Sequence, residues 1–322
     1  MQRAFATFIF AVLFAFTAQA ETIRVTSYNT GFLERGGVDF VPCIAERLVP
    51  QVMLVMGYTA ISPRNEPFAI LLQEVWTPAA FEAYRRVAKS RGLFYAPKTF
   101  AEIQNNGQMT ITNMKVEETK FVPFESESYA GRGIRTIEVQ TSRGTLIIAN
   151  VHTSYSDATG FLPAHRAQFE QITQYFWEHS KRASLIVGGD FNAGGKMSFH
   201  GAIYDAKAVV WDRSLEPAFA ILGMRSIGDP NAVTWDQERN LLVSDPTRII
   251  RLMNYFVHGG PNWDQASSRL DNIFASWNLT ATSSGRTMIA PVKVARTCAG
   301  HTDREGRMHL SDHYGIHATF QL

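Results

Sequence analysis

The sequence predicts an α/β protein built from mixed β-sheets covered by helices. Short apolar runs alternate with helical stretches along the whole chain. Two of those runs, Ile134 to Gln140 and Thr145 to Val151, are separated only by the turn residues Thr141-Ser142-Arg143-Gly144, so antiparallel pairing is present. Long helical patterns are few, which argues against a purely parallel, doubly wound sheet. With 322 residues, 45% hydrophobic and 19% charged, the chain is neither a disordered tail, a collagen-like rod nor a small disulfide-stapled scaffold. It holds 31 Lys+Arg against 29 Asp+Glu, a net charge of +2, and so has no strong long-range field for polyanions. There is no internal repeat, low-complexity tract or Pro/Ser-rich linker.

Met1-Gln2-Arg3 is a basic start, Ala4 to Phe16 is almost wholly apolar, and Ala18 and Ala20 stand in an A-x-A pattern. This predicts a secretory signal peptide over 1–20, cleaved after Ala20. The apolar stretch is too short for a comfortable membrane span, and no later stretch reaches that length. The expectation is an exported protein, secreted or periplasmic, with one catalytic domain over 21–322, and a monomer. Ile23 to Tyr28 reads as the first strand. Export permits a disulfide between the two cysteines, Cys43 and Cys298, but pairing and two buried thiols both remain open from sequence. Neither has the spacing of a cysteine zinc site.

Phe68 to Leu72 is a fully apolar strand. Thr77-Pro78 caps a helix that should run to about Ser90, with Phe81, Tyr84 and Ala88 on one face and Gly92 as its stop. Pro163 to His179 is a second helix, with Ala164, Ala167, Ile172 and Tyr175 near one face. Leu185 to Gly188, Leu270 to Ala275 and Ile316 to Phe320 are further strands. Residues 193 to 268 are poorer in regular signal and read as long surface loops, where sites tend to lie.

The chemistry shows at the strand ends. Asn29 follows the first strand, Glu74 the second, and His152 ends Thr145 to Val151. Asp190 and Asn192 follow Leu185 to Gly189, Asp271 starts an apolar strand, and Asp312 and His313 precede the last. A lone Asp after a strand is usually a turn former, and a lone His a structural one. Among antiparallel neighbours, however, strand exits and starts meet at the same edge, so these groups can gather over one end of a sheet. Carboxylates and amides without cysteine are hard ligands, suited to Mg²⁺, Mn²⁺ or Ca²⁺. Such an ion beside histidines suits phosphate-ester hydrolysis: the metal offsets phosphoryl charge, an Asp takes a proton from water, and a histidine assists the leaving oxygen.

The segments Ser27-Tyr28-Asn29, Leu72-Gln73-Glu74-Val75-Trp76, Asn150-Val151-His152, Gly189-Asp190-Phe191-Asn192, Leu270-Asp271-Asn272-Ile273 and Leu310-Ser311-Asp312-His313, in this order, resemble the endonuclease/exonuclease/phosphatase superfamily with its DNase I-like fold. The resemblance covers essentially all of 21–322. It implies a four-layer α/β/β/α sandwich with the site at one mouth of the two sheets. It also implies Mg²⁺, with Mn²⁺, Co²⁺ or Ca²⁺ as alternatives. Carried onto this chain, it makes Glu74 the main metal ligand, Asn29 its neighbour and Asp312 an acid close to the metal. Asp190 matches the acid that activates or orients water, and Asn192 the amide that holds phosphate or metal. His152 matches the histidine on the phosphate or leaving group, His313 the second histidine, and Asp271 the carboxylate that orients it.

Within that superfamily, Gln73-Glu74-Val75-Trp76, Gly131-Arg132-Gly133, Ala164-His165-Arg166-Ala167-Gln168, Thr234-Trp235-Asp236 with Asn240, and Leu310 to His313 look like neutral sphingomyelinases. Asn272 departs from that branch, which usually has an aromatic there, and Thr153 stands where it often has Leu. Gly36 to Ser62 is longer than in compact bacterial members. The resemblance implies a phosphodiesterase that splits sphingomyelin into ceramide and phosphocholine at a membrane surface. Such an enzyme must touch lipid and hold a choline cation. Tyr155, Phe161, Trp211, Trp235, Tyr255, Phe256 and Trp263 are aromatic candidates, against a default of core packing. A nuclease, or an inositol-phospholipid phosphatase, is the alternative. Nucleic acid would need arginines and lysines aligned with phosphates, such as Arg132 and Arg135 with Lys196, or Arg248 and Arg251, against a default of solvated surface.

Overall fold

The first apolar run forms strand β1 (Thr22–Asn29), and the second, Phe68–Gln73, lies parallel to it as β2. The structure, a computed structural model, describes residues 21–35, 38–39, 41–61, 66–126, 131–154, 163–193, 197–199, 202–204, 216–236, 239–243 and 267–322. The expected leader lies outside these residues, as do Tyr155, Phe161, Lys196, Trp211, Arg248, Arg251, Tyr255, Phe256 and Trp263.

The remaining strands of the two main sheets are β3 (Phe94–Ala96), β4 (Met109–Thr112), β5 (Val116–Pro123), β6 (Gly133–Thr141), β7 (Gly144–His152), β8 (Ser184–Asp190), β9 (Met224–Ile227), β10 (Asp271–Ser276), β11 (Thr280–Thr287) and β12 (Gly315–Gln321). One six-stranded sheet has the order β11-β12-β1-β2-β4-β3 and the other β9-β10-β8-β7-β6-β5. Each is antiparallel except for one parallel pair, β1 with β2 and β7 with β8. Helices α1 (Ile44–Ile61) and α2 (Pro78–Ser90) cover the first sheet, and α3 (Pro163–Ser180) and α4 (Glu216–Ile221) the second. This is the expected α/β/β/α sandwich of mixed sheets.

Strand alternation explains why β2 reads as an unbroken apolar run. Ala69 and Leu71 face the second sheet beside Ile148, Ile186 and Ile273, whereas Phe68, Ile70 and Leu72 face α1 and α2. Burying both faces requires apolar residues at every position. The Thr77 hydroxyl accepts the Ala80 amide at 3.1 Å and starts α2 as expected, and Ala80, Phe81, Tyr84 and Ala88 are its buried face. In α3 the buried row is His165, Gln168, Phe169, Ile172 and Phe176. Of the expected face only Ile172 belongs to it, because the aromatic side chains at 169 and 176 set the helix rotation. Ala164, Ala167 and Tyr175 flank that row half-buried.

Seven elements of the sandwich were not anticipated: α1, β3, β4, β5, β9, β11 and α4. α1 occupies the long segment before Ser62 and has Pro50 inside it, a residue that usually argues against a helix. β5 and β11 are polar edge strands, exposed over most of their length, and β4 is short. Edge strands need bury little, so they carry weak sequence signal. Within 193–268, expected as loops, the described residues include β9 and α4. Cys43 and Cys298 are joined in a disulfide across 255 residues, which answers the open question of their state.

Toward one end the packing between the sheets turns polar. Gln73 Nε2 donates to Ser27 Oγ and, at 2.7 Å, to Asn150 Oδ1. Asn150 Nδ2 in turn donates to the Leu72 and Met109 carbonyls, and Gln108 Nε2 to those of Gly133 and Asn150. These amides tie the two sheets together beneath the mouth where the strand-end residues collect.

Candidate active site

Strand register brings the distant motifs to one mouth. Asp190 is the last residue of β8 and pairs with His152 on one side and Asp271 on the other. In the first sheet Asn29 pairs with Gln73, so Glu74 emerges beside it. His313 enters from the other side, bridged to Trp235. The sequence-derived residues thus meet at one end of the sandwich.

Asp190 is the hub. Its Oδ1 accepts the Asn192 amide at 2.8 Å, and its Oδ2 accepts Asn29 Nδ2 at 3.0 Å and Asn192 Nδ2 at 3.3 Å. The same Oδ2 lies 3.7 Å from His152 Nε2 and 4.0 Å from His313 Nε2. Glu74 Oε1 is 3.9 Å from His152 Nε2. His313 Nδ1 is 2.8 Å from Asp271 Oδ2, a bond in which a protonated ring donates to the carboxylate. Asn29, expected beside a metal, uses its Oδ1 to accept the Gly31 amide at 3.0 Å, so in this arrangement it orients Asp190. Asp312 Oδ1 accepts the Ser311 hydroxyl at 3.1 Å and sits over Gly31, where a Cβ would come within 2.5 Å of it.

Glu74 and Asn192 adopt left-handed backbone, with φ of 58° and 47°. That conformation costs on the order of 1 kcal/mol for a residue with a side chain. The surroundings hold it in place: the Glu74 carbonyl accepts the Phe32 amide, and Asn192 Nδ2 donates to the Thr153 carbonyl. The kink turns each side chain off its strand direction into the mouth.

Electrostatics separate the roles. Burial, then the Asp312 charge, pushes the Glu74 carboxyl up to about 7. Burial and the Asp271 charge push Asp190 up to about 6, against the lowering effect of His313. Burial, with Arg132 and His313 nearby, drives His152 well below the usual imidazole range, so its ring is neutral. Burial alone would also lower His313, but the carboxylates of Asp271, Asp312 and Asp190 raise it well above that range, so it is an imidazolium. The site holds one neutral and one charged histidine.

The residues fit a hard divalent ion. Glu74, His152 and Asp190 each bring a ligand-type atom within 4.8 Å of the others, as do Asp190, Asp271 and His313. Both ring nitrogens of His152 and Oδ1 of Asp271 are buried and have no hydrogen-bond partner among the described residues. Carboxyls whose ionisation is resisted by burial and mutual repulsion are groups that a bound cation would relieve. The donors are oxygen and nitrogen, with no sulfur.

Several residues that shape this mouth were not singled out from sequence. The Thr234 hydroxyl accepts the amides of Leu270 and Asp271 and sets the start of β10. The Ser311 hydroxyl donates to the Asn29 carbonyl at 2.7 Å. Arg47, fully buried, donates to the carbonyls of Thr30, Gly31, Val41, Pro42 and Leu310. Thr234 and Ser311 lie inside motifs that were read, but an isolated arginine in an unanticipated helix carries no sequence signal. Arg135, considered for a phosphate-binding surface, is buried instead, with its Nε donating to the Gln108 carbonyl.

No family model matches the sequence, and no curated protein does. Solved structures do match in fold. A humanised D. rerio TDP2 has a TM-score of 0.60 at 16% identity, over 94% of this chain and 100% of that one. An endonuclease/exonuclease/phosphatase family protein from Bacteroides thetaiotaomicron has a TM-score of 0.59 at 13% identity, over 94% and 98%. SmcL has a TM-score of 0.57 at 14% identity, over 94% and 98%. The chain therefore has the endonuclease/exonuclease/phosphatase fold across nearly its whole described length. The superfamily resemblance of its motifs and its three-dimensional architecture agree.

Proposed function

We propose that this chain is a divalent-metal-dependent phosphodiesterase, and that sphingomyelin, cleaved to ceramide and phosphocholine, is its substrate. The observation that carries the hydrolase reading is the convergence of Glu74, His152, Asp190, Asp271 and His313 on one mouth, with one histidine neutral and the other charged. The sphingomyelinase-like motif details, among them Gln73-Glu74-Val75-Trp76, Gly131-Arg132-Gly133 and Thr234-Trp235-Asp236, support the lipid substrate. Glu74, with Asp312 beside it, would hold Mg²⁺ or a similar ion, which supplies charge neutralisation at the phosphate. Asp190 accepts a proton from the attacking water, whose oxygen forms the new bond to phosphorus opposite the departing oxygen. The His313 imidazolium, held by Asp271, returns a proton at Nε2 to the alkoxide as the P–O bond breaks. Neutral His152 hydrogen-bonds a phosphate oxygen.

Phosphocholine release from sphingomyelin liposomes with Mg²⁺, and its loss on chelation, is the expected result. No release with any divalent ion rejects the lipid substrate. A second reading, nucleic-acid phosphodiester cleavage, is favoured by the likeness in fold to a D. rerio TDP2 complexed with single-strand DNA product. Plasmid and single-stranded DNA in the same assay distinguish the two readings. Export, with cleavage after Ala20, belongs to the same proposal. The Cys43–Cys298 disulfide supports it, because such bonds persist in oxidising compartments. N-terminal sequencing of protein from an exporting host tests it.

A further inference from the structure

α3 meets the mouth with its first turns, and there its buried row is polar. His165 and Gln168 are buried, as are Phe169, Ile172 and Phe176 further along the helix. A buried polar side chain costs free energy unless it is hydrogen-bonded, so packing alone would favour apolar residues at 165 and 168. Both side chains are hydrogen-bonded, and both reach backbone beside the reacting groups. His165 Nε2 lies 2.8 Å from the Phe191 carbonyl, which only accepts, so the ring nitrogen donates. The Thr153 hydroxyl, 3.2 Å from the same ring nitrogen, donates to that carbonyl as well. The His165 ring is packed 4.5 Å from that of Phe169, which fixes its tilt. Gln168 Oε1 accepts the Ser154 amide at 2.7 Å, and its Nε2 donates to Ser154 Oγ at 2.6 Å.

Each of these bonds ends on one side of a peptide plane whose other side faces the site. In a trans peptide the C=O and the N–H point in opposite directions. The Phe191–Asn192 unit turns its carbonyl to His165 and Thr153, and its N–H to Asp190 Oδ1 at 2.8 Å. The Thr153–Ser154 unit turns its N–H to Gln168, and its carbonyl to Asn192 Nδ2 at 3.1 Å. Asn192 Nδ2 is in turn 3.3 Å from Asp190 Oδ2. Two peptide planes thus connect one helix to the carboxylate that faces both histidines. Rotation of the Phe191–Asn192 plane would also release Asn192 from its left-handed φ of 47°, a strained conformation that persists only where its surroundings oppose relaxation. We propose that His165 and Gln168 are positioning residues of this site: they fix the two peptide planes, and through them the orientation of Asp190 and Asn192. The proposed effect on turnover rests on the phosphodiesterase reading. Displacing a reacting group by about 1 Å costs on the order of 10²-fold in rate, and for a proton-transfer group the loss falls on kcat.

The test compares wild type with His165→Leu, His165→Gln, Gln168→Met and Ile172→Ala, the last a change at a buried apolar position of the same helix, further from the mouth. Hydrolysis of bis(4-nitrophenyl) phosphate with Mg²⁺ is measured well below the Tm of every variant. His165→Leu and Gln168→Met should each lower kcat by about 10- to 10²-fold, with KM within about threefold of wild type. His165→Gln keeps a donor for the Phe191 carbonyl and should recover kcat to within about threefold of wild type. Ile172→Ala should lower Tm and leave kcat within about twofold of wild type. Wild-type kcat in His165→Leu and Gln168→Met overturns the proposal. So does an equal loss of kcat in Ile172→Ala, which makes helix stability the cause. If His165→Leu does not fold, Gln168→Met decides alone. If wild type hydrolyses no phosphodiester, the activity reading fails, and crystal structures decide the positioning. Asn192 and Asp190 unmoved in the variants overturn it, and a shift of either by about 1 Å supports it.

Discussion

Asp190 accepts hydrogen bonds from Asn29 and Asn192 while facing both histidines, so one carboxylate couples both sheets to the reacting centre. Asp190→Ala and His313→Ala should each lower kcat by at least about 10³-fold in any phosphodiester assay, since each removes a proton-transfer group. Asp271 has a narrower effect. Its carboxylate, with those of Asp312 and Asp190, holds His313 in the charged form against burial. Activity that needs the imidazolium should persist to alkaline pH and decline when His313 loses its proton. Asp271→Asn should move that decline toward neutral pH and lower the maximum. An unchanged alkaline limb in a pH–rate profile would remove Asp271 from this role.

At the scale of elements, the mouth is assembled by ties that lie outside it. α1 reaches the loops carrying Gly31 and Leu310 through Arg47, and Gln51 adds Nε2 bonds to the Thr30 and Leu310 carbonyls. Tyr84 on α2 donates to Gln51 Oε1 at 3.0 Å. These bonds hold the backbone on both sides of Asp312. Arg47→Met leaves buried carbonyls without donors and should destabilise the fold by about 3–5 kcal/mol, read as a lower urea midpoint. The disulfide fixes the residue preceding α1 to the segment around Cys298. Reducing it should lower stability by about 2–5 kcal/mol, because the unbridged chain regains loop entropy. Denaturation with and without reductant measures this.

For the whole molecule, the clustered acids couple stability to pH and to metal. Glu74 and Asp190 hold their protons to about 7 and about 6, above the unfolded values near 4. The folded state then binds more protons than the unfolded state between those limits. These groups therefore favour folding at low pH, and that contribution is lost as pH rises from about 4 up to about 6 for Asp190 and about 7 for Glu74. Metal-free protein should lose stability across this window by a few kcal/mol in total, apart from its other titrating groups. Mg²⁺ should restore it most strongly above pH 7, where the carboxylates are ionised and the ion meets no competing protons. Tm against pH, with Mg²⁺ and with EDTA, shows this as a gap that widens with pH. A gap that narrows contradicts the assignment of these carboxyls.

The sequence by itself determined the class of mixed sheets under helices, most of the interior strands, helix α2 to its cap, and the set of polar residues at strand ends. Those features are local: an apolar run, a Thr-Pro start or an acid after a strand is written in neighbouring residues. Only the tertiary structure decided that the strand-end residues share a mouth, because register between distant strands is set by packing across the whole sandwich. It alone decided the disulfide, the buried row of α3, and the place of Arg47, directed at carbonyls in the interior. An arginine's surroundings are made by chain remote from it, and those surroundings decide whether its charge supports the fold or meets a substrate.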